Sequence, residues 1–403
     1  MTESNYSPEH PELTVVMPCL NEVLTVGVCI EKAQKCIEEI GIHAEIIIAD
    51  NGSTDGSIEL AEKLGARVVH QNRKGYGAAL KAGIAAAKGK YIIMGDCDDS
   101  YNFLGLAPFV EKLREGYFLV MGNRFAGGIQ KGAMPPLHRY FGNPFLTLLG
   151  KTLFNEPKFG DFYCGLRGFE AKAVRSLKLH SDGMEFALEM VIKFTMRGDW
   201  ATEVPTTLSP DGRNRAPHLK SFRDGWRSLR FYLVMAPRWL YGIPGLFLFV
   251  LGGLLSLKLL FGPLQIGPVT LDFHTMLYSS TFMIIGYQML LMGVFAKFLA
   301  IDTGLHPPST KLGKLRGRST LIVFSLTGLL SLVSGIVFAL IALNNWSQLG
   351  YGDIPAGGGT LRLVICSLTC LLFGAQTICA GFLFGLFNLV TEHDSELERI
   401  EQA

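Results

Sequence analysis

The sequence predicts an α/β domain followed by an α-helical membrane domain of four spanning helices. Three observations carry this. Charge is split unevenly: residues 1–240 hold 29 Lys or Arg and 27 Asp or Glu, whereas residues 241–403 hold eight of each. Short apolar runs alternate with helical patterns in the first part, and four long apolar stretches fill the second. The 403 residues are 49% apolar, too hydrophobic for disorder and too many for one core. With 37 Lys or Arg against 35 Asp or Glu, charge gives no reason to expect a nucleic-acid partner.

In the first part, Leu13–Met17, Glu45–Ala49, Arg67–His70, Tyr91–Gly95 and Phe118–Met121 read as strands. Between them, Glu22–Ile40, Gly56–Leu64, Gly77–Ala87 and Leu106–Glu115 read as helices. This alternation predicts a parallel sheet covered on both faces. Ligands of such sheets bind beyond the carboxyl ends of the strands.

The apolar stretches run near Ile243–Phe261, Thr275–Ala300, Thr320–Leu343 and Leu363–Val390. Each can cross about 30 Å of hydrocarbon at ~1.5 Å per residue. Lys258 and Lys297 lie near span ends, where a long stem reaches the headgroups. Arg223, Arg227, Arg230 and Arg238 precede the first span, and Lys311, Lys314, Arg316 and Arg318 come after the second. The other two connectors share one basic residue, Arg362. The positive-inside rule then predicts an integral protein of the cytoplasmic membrane, with the α/β domain and both termini cytoplasmic. Met1–Pro11 contains no apolar segment, so no cleavable signal peptide is expected.

Just before the first span, Phe222, Trp226, Leu229 and Leu233 alternate at helical spacing with Lys220, Arg223, Arg227 and Arg230. One aromatic and one basic face suit a helix lying among headgroups. Leu137–Phe154 is a second candidate, through Leu137, Phe141, Phe145, Leu148 and Leu149; a core-facing helix explains it nearly as well. The expected boundaries are 12–218 for the α/β domain, 219–241 for the interfacial helix, 242–391 for the membrane domain and 392–403 for an acidic tail.

The eight cysteines, at 19, 29, 36, 97, 164, 366, 370 and 379, form no C-x-x-C pair and suit neither a zinc site nor a disulfide framework. His138, His180 and His218 are scattered. No G-x-G-x-x-G comes after the first strand and no P-loop exists, which argues against dinucleotide and P-loop chemistry. The strand ends lead instead into polar clusters: Pro18-Cys19-Leu20-Asn21-Glu22, Asp50-Asn51-Gly52-Ser53-Thr54-Asp55-Gly56 and Asp96-Cys97-Asp98-Asp99-Ser100. Asp96 and Asp98 put two carboxylates on a rigid strand end, where Mg²⁺ or Mn²⁺ can link them to a diphosphate. A solvated acidic turn is the plainer explanation of a lone D-x-D. Three such clusters together favour the site.

These clusters, with Lys74-Gly75-Tyr76-Gly77-Ala78-Ala79-Leu80, Gly122-Asn123-Arg124-Phe125, Arg139 and Gly160-Asp161-Phe162-Tyr163-Cys164-Gly165-Leu166-Arg167, resemble glycosyltransferase family 2. Within it the match is to dolichyl- or polyprenyl-phosphate sugar synthases, over roughly residues 12–240. The resemblance implies a Rossmann-like GT-A catalytic domain and a metal-dependent inverting hexosyl transfer from UDP- or GDP-hexose to a polyprenyl phosphate. It implies that Pro18, Leu20, Glu22 and Asp50 hold the nucleoside, with Asn51 where many relatives have a second acid. Gly75 and Arg167 fall in its substrate-binding motifs. Asp96 and Asp98 would hold the metal, with Ser100 beside them. Arg124 and Arg139 would face the acceptor phosphate, and Arg213 and Arg215 would sit on a loop closing over both substrates.

The chemistry agrees. A lipid phosphate is ionised at pH 7 and needs no general base, but it does need cationic positioning, for which Arg has a matched fork. With a hydroxyl acceptor, Asp161 or Glu185 would be the base. A processive polysaccharide or glycolipid synthase is the competing enzyme, yet its Q-x-x-R-W pattern is broken here by Met235 before Arg238-Trp239. A non-catalytic membrane accessory is the third reading, and the intact Asp96 and Asp98 speak against it. The sugar, the base, the lipid and homo-oligomerisation are left open.

Overall fold

A computed structural model describes residues 10–156, 158–213, 221–313, 318–355 and 358–401. The chain divides into two compact units, Met1–Tyr232 and Leu233–Ala403.

The first unit is built on a seven-stranded sheet: β1 (Leu13–Cys19), β2 (Ala44–Asp50), β3 (Arg67–His70), β4 (Tyr91–Met94), β5 (Leu119–Asn123), β6 (Arg167–Glu170) and β7 (Ala201–Pro205). Their order is β3-β2-β1-β4-β6-β5-β7. Alternate side chains enter two cores. Val15, Met17, Ile46, Ile48 and Ile93 face one, while Val16, Ile47, Ala49, Ile92 and Met94 face the other. Helices Val26–Glu39 and Ala107–Arg114 supply the first core, and Tyr76–Ala86 and Glu185–Arg197 the second. Burial on both faces explains why these strands are apolar runs.

One expectation is corrected. The sheet is mixed, because β6 runs antiparallel between β4 and β5. Four residues, Arg-Gly-Phe-Glu, give too little alternation to announce a strand. The first helix also starts four residues late, at Val26. The peptide N–H groups of Thr25 and Val26 both donate to the Glu22 carbonyl, so residues 22–25 form a turn.

The second unit contains four helices long and apolar enough to cross a membrane: Arg238–Leu260, Phe273–Asp302, Ser319–Gln348 and Gly359–Phe387. The last continues to Glu401. A short hairpin, β8 (Leu264–Ile266) with β9 (Val269–Leu271), joins the first two and was not legible in the sequence. Small residues let these helices approach closely. A Cβ at Gly252 would lie 2.4 Å from the Ser279 carbonyl oxygen. Hydroxyl pairs add polar contacts, Ser256 with Ser279 and Tyr287 with Thr377, each at 2.7 Å. Lys297 near its span end contacts the His306 ring.

The amphipathic pattern before the first span forms helix Ser221–Met235, with Phe222 and Trp226 exposed. Lys220, like Lys314 and Arg316 of the later loop, lies outside the described residues. The Leu137–Phe154 segment is a wound turn, His138–Gly142, leading into helix Asn143–Phe154. Leu137, Tyr140, Phe141, Phe145 and Leu148 are exposed along it, while Leu146, Thr147 and Gly150 form a buried face.

Candidate active site

The informative residues stand at the carboxyl ends of β1, β2, β4 and β5. At the end of β2, the buried Asp50 carboxylate accepts hydrogen bonds from the Gly52 and Ser53 N–H groups at 3.0 and 2.9 Å. A further contact is His70 Nδ1 at 3.3 Å. Burial pushes this carboxyl up, but hydrogen bonds led by Ser53 outweigh it and hold Asp50 below the usual carboxylate range. Asn51 beside it turns away into the protein. Its amide donates to the Gln71 and Arg73 carbonyls at 2.9 and 2.8 Å, and its oxygen accepts from the Gly75 N–H at 2.8 Å.

At the end of β1, Pro18 and, just beyond it, Leu20 are half-buried, and Glu22 is buried. The Pro18 carbonyl accepts from the Cys97 thiol at 2.9 Å, tying the ends of β1 and β4 together. Glu22 receives the fork of Arg213, Nε at 3.0 Å and Nη2 at 2.7 Å. The remaining nitrogen, Nη1, lies 3.2 Å from Asp98 Oδ2. Arg213 is thus a cation between two carboxylates. Its segment is pinned by backbone, Ser209 N–H to the Ser100 carbonyl and Gly212 N–H to the Asp98 carbonyl, both at 2.9 Å. Arg215 lies outside the described residues.

Asp98 also accepts from the Ser100 hydroxyl at 2.6 Å. Asp96 is half-buried beside it. Its Oδ1 accepts from the Tyr76 hydroxyl at 2.9 Å. Burial first, then the neighbouring charge of Asp98, pushes the Asp96 carboxyl up to about 6. Among the described residues no three His, Cys, Asp or Glu side chains form a ready-made metal cage. Two carboxylates and a hydroxyl are instead the hard-oxygen set by which Mg²⁺ is shared with substrate phosphates. The mutual repulsion of Asp96 and Asp98, and the guanidinium already drawn to Asp98, suit a cation at this position. The residues fit the metal.

The arginines divide. Arg124 is buried and closed on buried Asp161, Nε to Oδ2 at 2.6 Å and Nη2 to Oδ1 at 2.8 Å. Arg167 is also buried and donates to the Cys164 and Ala187 carbonyls, the latter at 2.7 Å from Nη1. Both forks face protein. Arg139 differs. It sits half-buried on the wound turn, 5.5 Å from the Tyr140 ring centre, and no carboxylate of the described residues pairs with it. Glu185, the other carboxylate considered as a base, pairs with Arg227.

In the sequence Tyr76 stands inside a motif without a role of its own, and nothing points to Asp182. Asp182 pairs with Lys81 and Arg73 at 2.7 Å each. Gly75 explains why that region is glycine-rich: its φ is +140°, and a Cβ there would lie 2.2 Å from the Asp182 carbonyl oxygen.

Comparison with known proteins agrees with this architecture. Residues 14–177 match Glycosyl transferase family 2, and residues 294–388 match the Glycosyltransferase family 2 C-terminal transmembrane region. The chain is 33% identical to the low-salt glycan biosynthesis hexosyltransferase Agl6 of Haloferax volcanii, over 93% of this chain and 89% of that one. It is 30% identical to a dolichyl-phosphate hexose transferase of the same organism, over 51% of this chain and 84% of that one. Among solved structures it is similar to glucosyl-3-phosphoglycerate synthase from Mycobacterium tuberculosis, with 23% identity, coverage of 56% and 79%, and a TM-score of 0.44. A Rossmann-like GT-A sheet with acidic strand ends, four apolar helices after it in the chain and a relative matched along nearly its whole length lead to one assignment: this chain is an integral membrane glycosyltransferase and belongs to glycosyltransferase family 2.

Proposed function

We propose that this enzyme moves a hexose, glucose or mannose, from UDP- or GDP-hexose to a polyprenyl phosphate, with inversion, at the cytoplasmic membrane face. The observation that carries this is the state of the two carboxylates a hydroxyl acceptor would need. Asp161 is closed on Arg124 and Glu185 on Arg227, so neither is placed to take a proton. An ionised lipid phosphate needs no such base. The similarity to a dolichyl-phosphate hexose transferase supports the same acceptor class.

In this reading Pro18, Leu20, Glu22 and Asp50 hold the nucleoside, and Asp96 and Asp98 hold Mg²⁺ or Mn²⁺. When bound, the metal would neutralise charge on the departing diphosphate. With Arg124 committed to Asp161, the acceptor phosphate falls to Arg139, on a turn whose exposed aromatic side chains suit the headgroup layer. Residues 12–218 are the catalytic domain, 219–241 the interfacial helix, 242–391 the membrane domain and 392–403 a cytoplasmic tail.

Mass spectrometry of products from purified protein, polyprenyl phosphate and a panel of sugar nucleotides tests the reaction. The expected product is a polyprenyl-phosphate hexose; transfer to a lipid hydroxyl or a growing glycan would overturn it. In the same assay Arg139→Ala is expected to slow transfer by about 10²–10³-fold, the loss of one preorganised donor to phosphate charge. Slow hydrolysis of the donor should be unchanged. Equal loss of both reactions would make Arg139 a donor-side or structural residue.

Orientation has its own test. On a Cys-free background, an impermeant thiol reagent applied from outside should label Asp353→Cys and spare Gly313→Cys. The opposite pattern would put the catalytic domain on the face where sugar nucleotides are absent.

A further inference from the structure

Contacts run in series from the end of β2 to the carboxylate at the end of β4. The buried Asn51 amide spends both N–H donors on the Gln71 and Arg73 carbonyls and its oxygen on the Gly75 N–H, all at 2.8–2.9 Å. Gly75 precedes helix Tyr76–Ala86, and it is wedged against the Asp182 carbonyl with no room for a Cβ. That leaves little play between Asn51 and the helix. Tyr76 opens the helix, and its hydroxyl donates to Asp96 Oδ1 at 2.9 Å. From the other side the 163–166 segment presses close, since a Cβ at Gly165 would lie 2.8 Å from Asp96 Oδ2. Asp96 is held between the two.

We infer that Asn51 and Tyr76 are positioning residues for Asp96. Asn51 fixes the 71–75 loop, the loop fixes Tyr76, and the Tyr76 hydroxyl fixes the direction in which the carboxylate points. The chemistry requires an amide at 51. A carboxylate there could accept from Gly75 but could not donate, and it would face two carbonyl oxygens. This gives a reason for Asn51 where the family resemblance leads one to expect an acid. Partners that orient a metal ligand typically change metal affinity by about 10–100-fold when removed.

The inference rests on the reading of Asp96 and Asp98 as metal ligands, and binding rather than turnover tests it. The full chain in detergent is titrated with Mn²⁺ in the presence of saturating UDP and, separately, GDP, with protein-free controls for the Mn²⁺–nucleotide complex; bound Mn²⁺ is followed by electron paramagnetic resonance, and melting temperature is recorded alongside. Tyr76→Phe keeps the ring and loses the hydroxyl; it is expected to weaken Mn²⁺ binding at least about tenfold with little change in melting. Asn51→Asp should weaken it similarly, and the double variant should be no weaker than the worse single one, because both act through one contact. Should Asn51→Asp fail to fold, Tyr76→Phe alone decides. If Asp98→Asn loses Mn²⁺ while Tyr76→Phe binds like the native chain, the positioning role is wrong and the metal reading stands. Effects that multiply would remove Asn51 from the series. A native chain that binds no Mn²⁺ would overturn the metal reading, and this inference with it.

Discussion

Asp98→Ala is expected to lower hexosyl transfer by about 10³-fold or more, corresponding to the several kcal/mol that a metal-held diphosphate contributes to the transition state. Asp98 is buried at a strand end, accepts from the Ser100 N–H and hydroxyl, and shares Arg213 with Glu22. The Ala variant therefore removes the proposed metal ligand and also loosens the 98–100 turn. Asp98→Asn separates the two effects, since its oxygen can still accept from Ser100 while the charge is gone. Both variants should be nearly inactive in an assay with sugar nucleotide and polyprenyl phosphate, but only Ala should lower the melting temperature. Asp96→Ala should be nearly as severe. Normal turnover in EDTA, or an active Asp96/Asp98 double variant, would refute the metal site.

The second large effect is on stability. The side chains of Arg124 and Asp161 are 9% and 0% exposed, and Asp161 additionally accepts from the N–H groups of Arg124 and Tyr163 at 3.2 and 3.1 Å. Asp161→Ala strands a buried guanidinium and orphans those donors. Breaking one side of a buried pair costs about 3–5 kcal/mol, which in a unit of this size lowers the melting temperature by roughly 10 °C. Replacing both partners by apolar residues, Asp161→Leu with Arg124→Met, should recover much of the loss, because no uncompensated charge remains. Differential scanning fluorimetry of the full chain reads this. An unchanged melting temperature for Asp161→Ala would show that Arg124 finds another anion.

The sheet's central strands were legible because burial on both faces leaves a plain record, unbroken apolar runs such as Leu13–Met17 closed by polar turns. The membrane helices were legible for a similar reason: hydrocarbon tolerates little else over that length. β6 and β7 were not: β3 and β4 are as short, but Arg167–Glu170 and Ala201–Pro205 are no apolar runs, and their pairing depends on neighbours far along the chain. The acidic strand ends stood out at once, yet the partners of the arginines did not. Nothing in Gly122-Asn123-Arg124 tells that its fork closes on Asp161, 37 residues on. Asn51 shows the same limit. Its type suggested a ligand contact, whereas its three side-chain hydrogen bonds are all to backbone of the 71–75 loop, a pairing that tertiary placement alone decides.

The lone antiparallel strand has a consequence for the order of assembly. β1 to β4 can pair as soon as residues 13–94 are available, β1 with β2 and β2 with β3 as consecutive strands and β4 by crossing back to β1. β5 and β7 have no edge on that sheet until β6 arrives, because β6 alone bridges β4 to β5. Its register sets Arg167 opposite both Met94 and Met121, so four residues align one half of the sheet with the other. In a chain made from its N-terminus, the β1–β4 half is free to settle first. The half bearing Arg124 and Arg139 locks on later, shortly before the helices that need a bilayer emerge. The strand least visible in the sequence is the one that joins the two halves of the sheet.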